Sequence, residues 1–188
     1  MFEYNDVAIR PIEQRDLESM VKLRGDPQVW MNLGDISMID LKAQQRWFDS
    51  LQGDSRRRYF VLCTKEISFL GIVRMDEIEW VNRSLRIGGD IAREYQSKGY
   101  GKKMFALLKN YCFDYLNMHR IWLLVLESNQ IAQKLYRGAG FEEEGRQREA
   151  IYRNGTYQDY IMMSLLRQKA DQAKTPHIEV NASERRQI

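Results

Sequence analysis

The sequence holds little of what metal centres, disulfide frameworks and membrane spans are built from. It has two histidines, His119 and His177, and two cysteines, Cys63 and Cys112. Structural zinc sites need clustered thiolate and imidazole ligands, so no metal is expected. Cys63 falls in an apolar strand-like run and Cys112 on an apolar helical face, which suits buried thiols rather than a disulfide pair. No apolar run approaches the roughly 20 residues that cross a bilayer. The opening Met1-Phe2-Glu3-Tyr4-Asn5-Asp6 lacks the basic and apolar regions of a signal peptide. No membrane association is expected, and the expected compartment is the cytoplasm.

Other chemistries are missing too. There is no G-x-S-x-G nucleophile elbow, and the strand position of Cys63 disfavours a Cys63–His119 pair, so a covalent route has no support. The net charge of +3 does not call for nucleic acid. The run Arg56-Arg57-Arg58 reads as a solvated loop and strand edge rather than a nucleic-acid patch. No internal repeat is present. At 188 residues, with 44% hydrophobic and 29% charged residues, the chain suits one soluble domain with a sizeable core.

What is present alternates between strand and helix patterns. Residues 7–12 read as a strand, and Asp16 opens a helix that Gly25-Asp26-Pro27 closes. A second helix covers 41–51, grouping Gln44, Trp47, Phe48 and Leu51. Strands follow at 59–64 and 69–75, then a polar connection at 76–83 and a strand at 84–92. In residues 100–116, Tyr100, Met104, Leu107, Leu108, Tyr111, Cys112 and Tyr115 share one helical face. The apolar run 121–126 predicts a strand covered on both faces. A short helix carrying Ala132, Leu135 and Tyr136 follows, and strands at 144–152 and 157–166 flank the hairpin signal Asn154-Gly155. Residues 1–167 form the expected domain; 168–188 read as a polar, mobile tail.

The most informative stretch is Gln96-Ser97-Lys98-Gly99-Tyr100-Gly101, between a strand and the long helix. Helix-start amides lack internal partners and the helix dipole is positive there, so the turn is suited to a pyrophosphate. Gly99 and Gly101 allow close backbone approach and positive φ, and Lys98, Lys102 and Lys103 add charge. A P-loop is excluded because Gln96 and Lys103 stand where glycine and Ser or Thr are needed. A dinucleotide fingerprint is excluded because Met104 replaces its third glycine.

This hexamer resembles the Q/R-x-x-G-x-G/A loop of the GNAT superfamily of acetyl-CoA-dependent N-acetyltransferases. The segment from Asn129 to Tyr136, followed by Gly140-Phe141, resembles that family's N-x-x-A-x-x-L-Y…G-F pattern. The resemblance spans residues 7–166. It implies an α/β fold: a mixed, mostly antiparallel sheet with a central parallel β-α-β crossover and helices on both faces. It implies acetyl-CoA as cosubstrate, its pyrophosphate on the amides of Gln96, Ser97, Lys98, Gly99, Tyr100, Gly101 and Lys102. It further implies that Ile91, Ala92 and Arg93 pair with the pantetheine arm, that Asn129 binds the cofactor or braces the opening, and that Tyr136 protonates the leaving thiolate. Asn129 as a plain helix cap and Tyr136 as a plain half-buried aromatic are the alternative readings.

The chemistry is then direct attack by a neutral amine. The glutamate that some relatives acting on protein N-termini carry is replaced here by Leu124. Glu77, Glu79, Asp90 and Glu127 remain as candidate bases. Deprotonating a lysine-like amine at pH 7 costs roughly 4.6 kcal/mol, against roughly 1–1.4 kcal/mol for an α-amine. A site without an evident base therefore favours the second kind. Arg24, Trp30, Trp47, Glu77 and Glu79 are the candidate acceptor residues. The resemblance is to the branch of ribosomal-protein N-terminal, polyamine and amino-sugar acetyltransferases, the last including those of pseudaminic acid synthesis. A nucleotide-linked amino sugar is the favoured acceptor, followed by a protein N-terminus and a polyamine. A non-catalytic CoA-binding module is the competing class. A homodimer is left open.

Overall fold

A computed structural model of the chain describes residues 1–172. One eight-stranded sheet runs through the molecule in the order β1-β2-β3-β4-β5-β6-β8-β7. Its strands are β1 (Phe2–Tyr4), β2 (Val7–Pro11), β3 (Arg58–Cys63), β4 (Gly71–Glu79), β5 (Ser84–Ile91), β6 (Arg120–Leu126), β7 (Glu142–Arg153) and β8 (Thr156–Leu166). All neighbours are antiparallel except β5 and β6. The helices are α1 (Leu17–Gly25), α2 (Pro27–Trp30), α3 (Leu41–Asp49), α4 (Tyr100–Asn110), α5 (Gln130–Gly138) and α6 (Arg167–Gln172). The expected α/β architecture, with one parallel pair and helices on both faces, is what is found.

Strand alternation divides the core in two. Val7 and Ile9 of β2, Leu62 of β3, Val73 and Met75 of β4 and Leu85 and Ile87 of β5 point to the α4 side. Ala8, Val61, Cys63 and Ile72 point to the other side, under α1, α2 and the Trp47 and Phe48 rings of α3. Helix α4 lies close to the sheet because Gly89 has no side chain. A Cβ there would come within 2.6 Å of Met104 Sδ. Both cysteines are buried and free, as expected.

The differences from the sequence reading have local causes. Strand β1 and helix α2 are too short to show a period, and Asn5, with φ of 56°, makes the tight turn from β1 into β2. The polar segment after Met75 is not a connection: β4 continues to Glu79, with Ile78 buried and a bulge at Glu77. It looks polar because one face of its end borders a cleft. Strand β6 is likewise half open, with Trp122 and Leu124 only partly covered. After Asn110 the helix relaxes into one π turn, Tyr111–Tyr115. The π turn shifts the phase, buries Phe113, and leaves Tyr115 66% exposed against Phe2. The expected tail begins in α6, while residues 173–188 lie outside the described residues.

One buried ion pair ties the α1 side together. Arg10 of β2 donates to both carboxylate oxygens of Asp16 at 2.7 Å and to Ser68 O at 3.1 Å. Asp16 also accepts from the Glu13 amide at 2.8 Å. Burial pushes the Asp16 carboxyl up, but the Arg10 and Glu13 bonds outweigh it and hold it below its ordinary value of 3.8. Removing one partner of such a pair leaves the other charge buried, so Asp16→Asn is expected to cost about 3–5 kcal/mol in denaturant unfolding. A carboxyl held low contributes stability above its unfolded pKa and loses it as pH falls through its folded pKa. The variant should therefore lose less stability than the wild type as pH drops below 3.8.

Candidate active site

The site begins where the parallel ladder stops. β5 and β6 pair at Ser84↔Arg120, Leu85↔Ile121 and Arg86↔Trp122 and no further. Beyond that point β5 stays on β4 as far as Ile91, and β6 stays on β8 as far as Leu126. The two strands thus splay, opening a cavity of about 460 Å³ between them. The cavity is lined by Arg24, Tyr59, Arg74, Asp76, Arg86, Leu124, Tyr136 and Tyr160, among others.

Helix α5 fills the far side of the opening. Asn129 caps it by accepting from the Ala132 amide at 3.0 Å, and its Nδ2 donates to Asn32 Oδ1 at 2.9 Å. Buried Gln133 pins the helix to the end of β6 through Leu126 O and Glu127 O. These bonds direct Tyr136 into the cavity, its ring edge-on to Phe105 at 5.0 Å. Burial, reinforced by Asp90 and partly offset by Arg74, pushes the Tyr136 hydroxyl up to about 12. A hydroxyl in that range stays protonated at neutral pH and can serve as a proton donor.

On the other flank lies the phosphate-type turn. A short 3₁₀ stretch, Arg93–Tyr95, leads to Gln96, whose Nε2 donates to Ile91 O at 2.9 Å. Ser97 and Gly99 are left-handed, with φ of 60° and 85°, and Gly99 caps α4. Turns of this kind make successive amides converge on an anion, and the space beside Gly99 is open. The residues present therefore fit a CoA pyrophosphate. Gly101 lacks the positive φ expected of it and lies in the first turn of α4, where a Cβ would meet Leu135 Cδ2 at 3.1 Å. Lys103 pairs with Asp6 and sits over the Tyr100 ring, while Lys98 sits over Tyr95. Lys102 is exposed at the start of α4. Ile91 ends β5, Ala92 follows it beyond the parallel ladder, and Arg93 is exposed.

The acceptor set is partly redrawn. Arg24 lines the cavity, but Trp30 and Trp47 do not. Trp30 donates to Ile36 O at 2.9 Å, and Trp47 packs edge-on behind Tyr59 at 4.9 Å. Glu77 faces a neighbouring hollow 3.1 Å from Arg86, and Glu79 is held by Arg56. Of the other candidate bases, Asp90 faces Arg74 at 3.5 Å and Glu127 is held by Arg146.

Sequence reasoning missed Tyr59, Arg74, Arg86 and Tyr160, and it placed Asp76 near the cleft with Glu77 and Glu79 without choosing it as a site residue. The available signal was a period of two: Arg74 and Asp76, then Arg86 and Gly88, alternate with the buried Val73, Met75, Leu85 and Ile87. Gly88 leaves room for Arg74, whose Nη2 would be 2.8 Å from a Cβ there. The wall opposite is the 32–35 segment. Buried Arg153 of β7 donates to Leu33 O at 2.5 Å and Gly34 O at 3.0 Å, and Gly34 abuts the Tyr160 hydroxyl.

Two of the cleft arginines are loosely held, while Arg86 also has a closer acid, Glu77 at 3.1 Å. Arg24 meets Asp35 at 3.4 Å, Arg74 meets Asp90 at 3.5 Å and Arg86 meets Asp76 at 3.5 Å. Arg24 Nε is buried with no partner among the described residues. Charge-assisted bonds at their best are about 2.7–2.9 Å, the length found for Arg10–Asp16. Each guanidinium also has about five donors, so these three can take further acceptors. Among the described residues there is no His, Cys, Asp and Glu group that could hold a metal, and no helix long and apolar enough to cross a membrane.

Comparison with known proteins agrees with this geometry. The family model for the acetyltransferase (GNAT) domain matches residues 6–142. Spermidine N(1)-acetyltransferase of Escherichia coli K12 is 30% identical over 176 residues, covering 92% of each chain. A putative ribosomal N-acetyltransferase of Bacillus subtilis 168, YdaF, is 26% identical over 87% of this chain and 92% of its own. The crystal structure of Vibrio cholerae spermidine N-acetyltransferase with CoA and spermine superimposes with a TM-score of 0.83 at 28% identity, covering 88% of this chain and 98% of that one. The chain belongs to the GNAT family and is an acyltransferase that moves the acetyl group of acetyl-CoA to an amine.

Proposed function

We propose that the acceptor is a small molecule carrying a primary amine together with negative charge, of which a nucleotide-linked amino sugar is the fullest example. The observation that carries this reading is the set of three arginines lining the cleft, Arg24, Arg74 and Arg86, of which Arg24 and Arg74 keep only contacts of 3.4 and 3.5 Å to acids. A polyamine is a cation throughout and would be repelled by such a lining unless acids outnumbered the arginines. Only Asp35 and Asp76 among the lining residues are acidic. The second reading, a polyamine, is favoured by the named activity of the Escherichia coli and Vibrio cholerae relatives.

Within either reading, Tyr136 donates its proton to the departing thiolate, and the 96–102 turn holds the pyrophosphate. Ile91, Ala92 and Arg93 lie where a pantetheine arm could take up the open strand edge. Asn129 braces the opening through its cap and its bond to Asn32.

Acetyl transfer should be measured side by side on a nucleotide-linked amino sugar, an N-terminal peptide and spermidine. The sugar is expected to give the highest kcat/KM; spermidine ahead of it would overturn the anionic-acceptor reading. Arg74→Ala should raise KM for the anionic acceptor about 10- to 100-fold, the worth of a charged hydrogen bond, with CoA affinity unchanged. Tyr136→Phe should lower kcat about 10²- to 10⁴-fold at constant CoA Kd; an unchanged kcat when chemistry is rate-limiting removes Tyr136 from the reaction. Gly99→Pro should raise the CoA Kd, because proline cannot adopt the φ of 85° found there.

A further inference from the structure

One carboxylate lies inside the arginine-lined cleft. The Asp76 side chain is 14% exposed, whereas Asp35, at the rim, is 68% exposed. Asp76 also borders a second, more open hollow lined by Asp54, Arg57 and Glu77. With Tyr59 and Arg86 it forms the wall common to the two cavities. The Tyr59 hydroxyl donates to Asp76 Oδ1 at 2.5 Å, and Arg86 Nη2 lies 3.5 Å from Oδ2. Tyr59 is itself fixed by Trp47. The carboxylate is thus oriented from one side and keeps lone pairs for another donor, since a carboxylate offers about four acceptor sites.

The reaction has a use for such a group. An acceptor entering as an ammonium loses two protons in becoming an amide: a C–N bond forms, the C–S bond breaks, and sulfur gains one proton. Tyr136 delivers that proton and recovers one from the nitrogen. The other proton has to leave the site before attack. We propose that Asp76 accepts it from the acceptor ammonium and releases it to water in the outer hollow. This rests on a cleft-bound amine acceptor but not on which amine. The charged and titratable groups that share the two cavities with Asp76 are Tyr59 of β3, Arg86 of β5, Arg74 and Glu77 of β4, Asp54, Arg56 and Arg57 from the turn before β3, and Arg24, Asp35, Tyr136 and Tyr160 across the cleft. The other candidate carboxylates, Asp90, Glu79 and Glu127, do not line the cleft, and Glu79 and Glu127 are held by Arg56 and Arg146.

The test is Asp76→Asn, which keeps the shape and an acceptor for Tyr59. Its kcat/KM should be followed from about pH 6 to about pH 10, with a nucleotide-linked amino sugar and with concentrated ethylamine as a minimal acceptor. Near neutral pH the variant should fall about 100-fold. The deficit should shrink as pH rises and the amine loses its own proton in solution, with CoA Kd unchanged. A deficit equal at every pH, or none, overturns the assignment. Should the asparagine variant melt early, Asp76→Glu takes its place and should retain the wild-type pH profile at a lower rate; a changed profile overturns. An inert sugar alongside an ethylamine profile of the expected shape would refute the anionic-acceptor reading and leave Asp76 standing. If neither amine turns over, calorimetric binding of ethylammonium to the CoA complex decides: loss in Asp76→Asn supports the role, and equal binding overturns it.

Discussion

The end of the β5–β6 ladder at Arg86↔Trp122 is the constraint on which the site depends. Each strand is claimed by its outer neighbour, β5 by β4 and β6 by β8, so the two diverge once their own pairing stops. A dry, unpaired peptide group costs about 1–3 kcal/mol. The open edge of β5 is therefore tolerable only where water or a ligand with its own amides can reach it. The same divergence admits Tyr136 from α5 and places it against residues projecting from the opposite face of the sheet.

Two kinds of arginine occupy the two ends of that opposite face. Arg10 is buried, bidentate and short-bonded, and it holds β2 to the start of α1. Arg24 and Arg74 keep only long contacts with acids, and Arg86 is divided between Asp76 at 3.5 Å and Glu77 at 3.1 Å. The difference is one of purpose. A fully satisfied pair fixes structure, while an under-satisfied one retains attraction that an incoming group can use.

The parts legible in the sequence were those governed by local backbone chemistry. Gly99 announced a left-handed helix cap, Asn129 a side-chain cap, and Asn154-Gly155 a hairpin whose φ values, 50° and 81°, suit the tight primed turn. Tyr136 could be named because the segment from Asn129 to Tyr136 resembles the family's N-x-x-A-x-x-L-Y pattern. The arginine-lined wall was not legible, because it arises from register. Asp76 meets Arg86, and Arg74 meets Gly88, only once β4 is aligned on β5, and no single strand carries that information. Trp47 misled because an aromatic on an amphipathic helix gives no sign of whether it touches a ligand or the back of Tyr59. The phase of Tyr115 failed because a 3.6-residue period was carried through a π turn.

Arg153 gives the cleft an unusual pedigree. Its guanidinium, in the last residue of β7, holds the carbonyls of Leu33 and Gly34, and Asn32 in the same segment is bonded to Asn129. The wall of the cleft formed by residues 32–35 is therefore co-authored by the two ends of the domain. Replacing the segment between α2 and α3 of this chain alone would leave Arg153 and Asn129 facing a wall they do not match. Diversification of acceptor choice on this scaffold would then have to proceed by paired exchange, with loop and hairpin drifting together as one heritable unit.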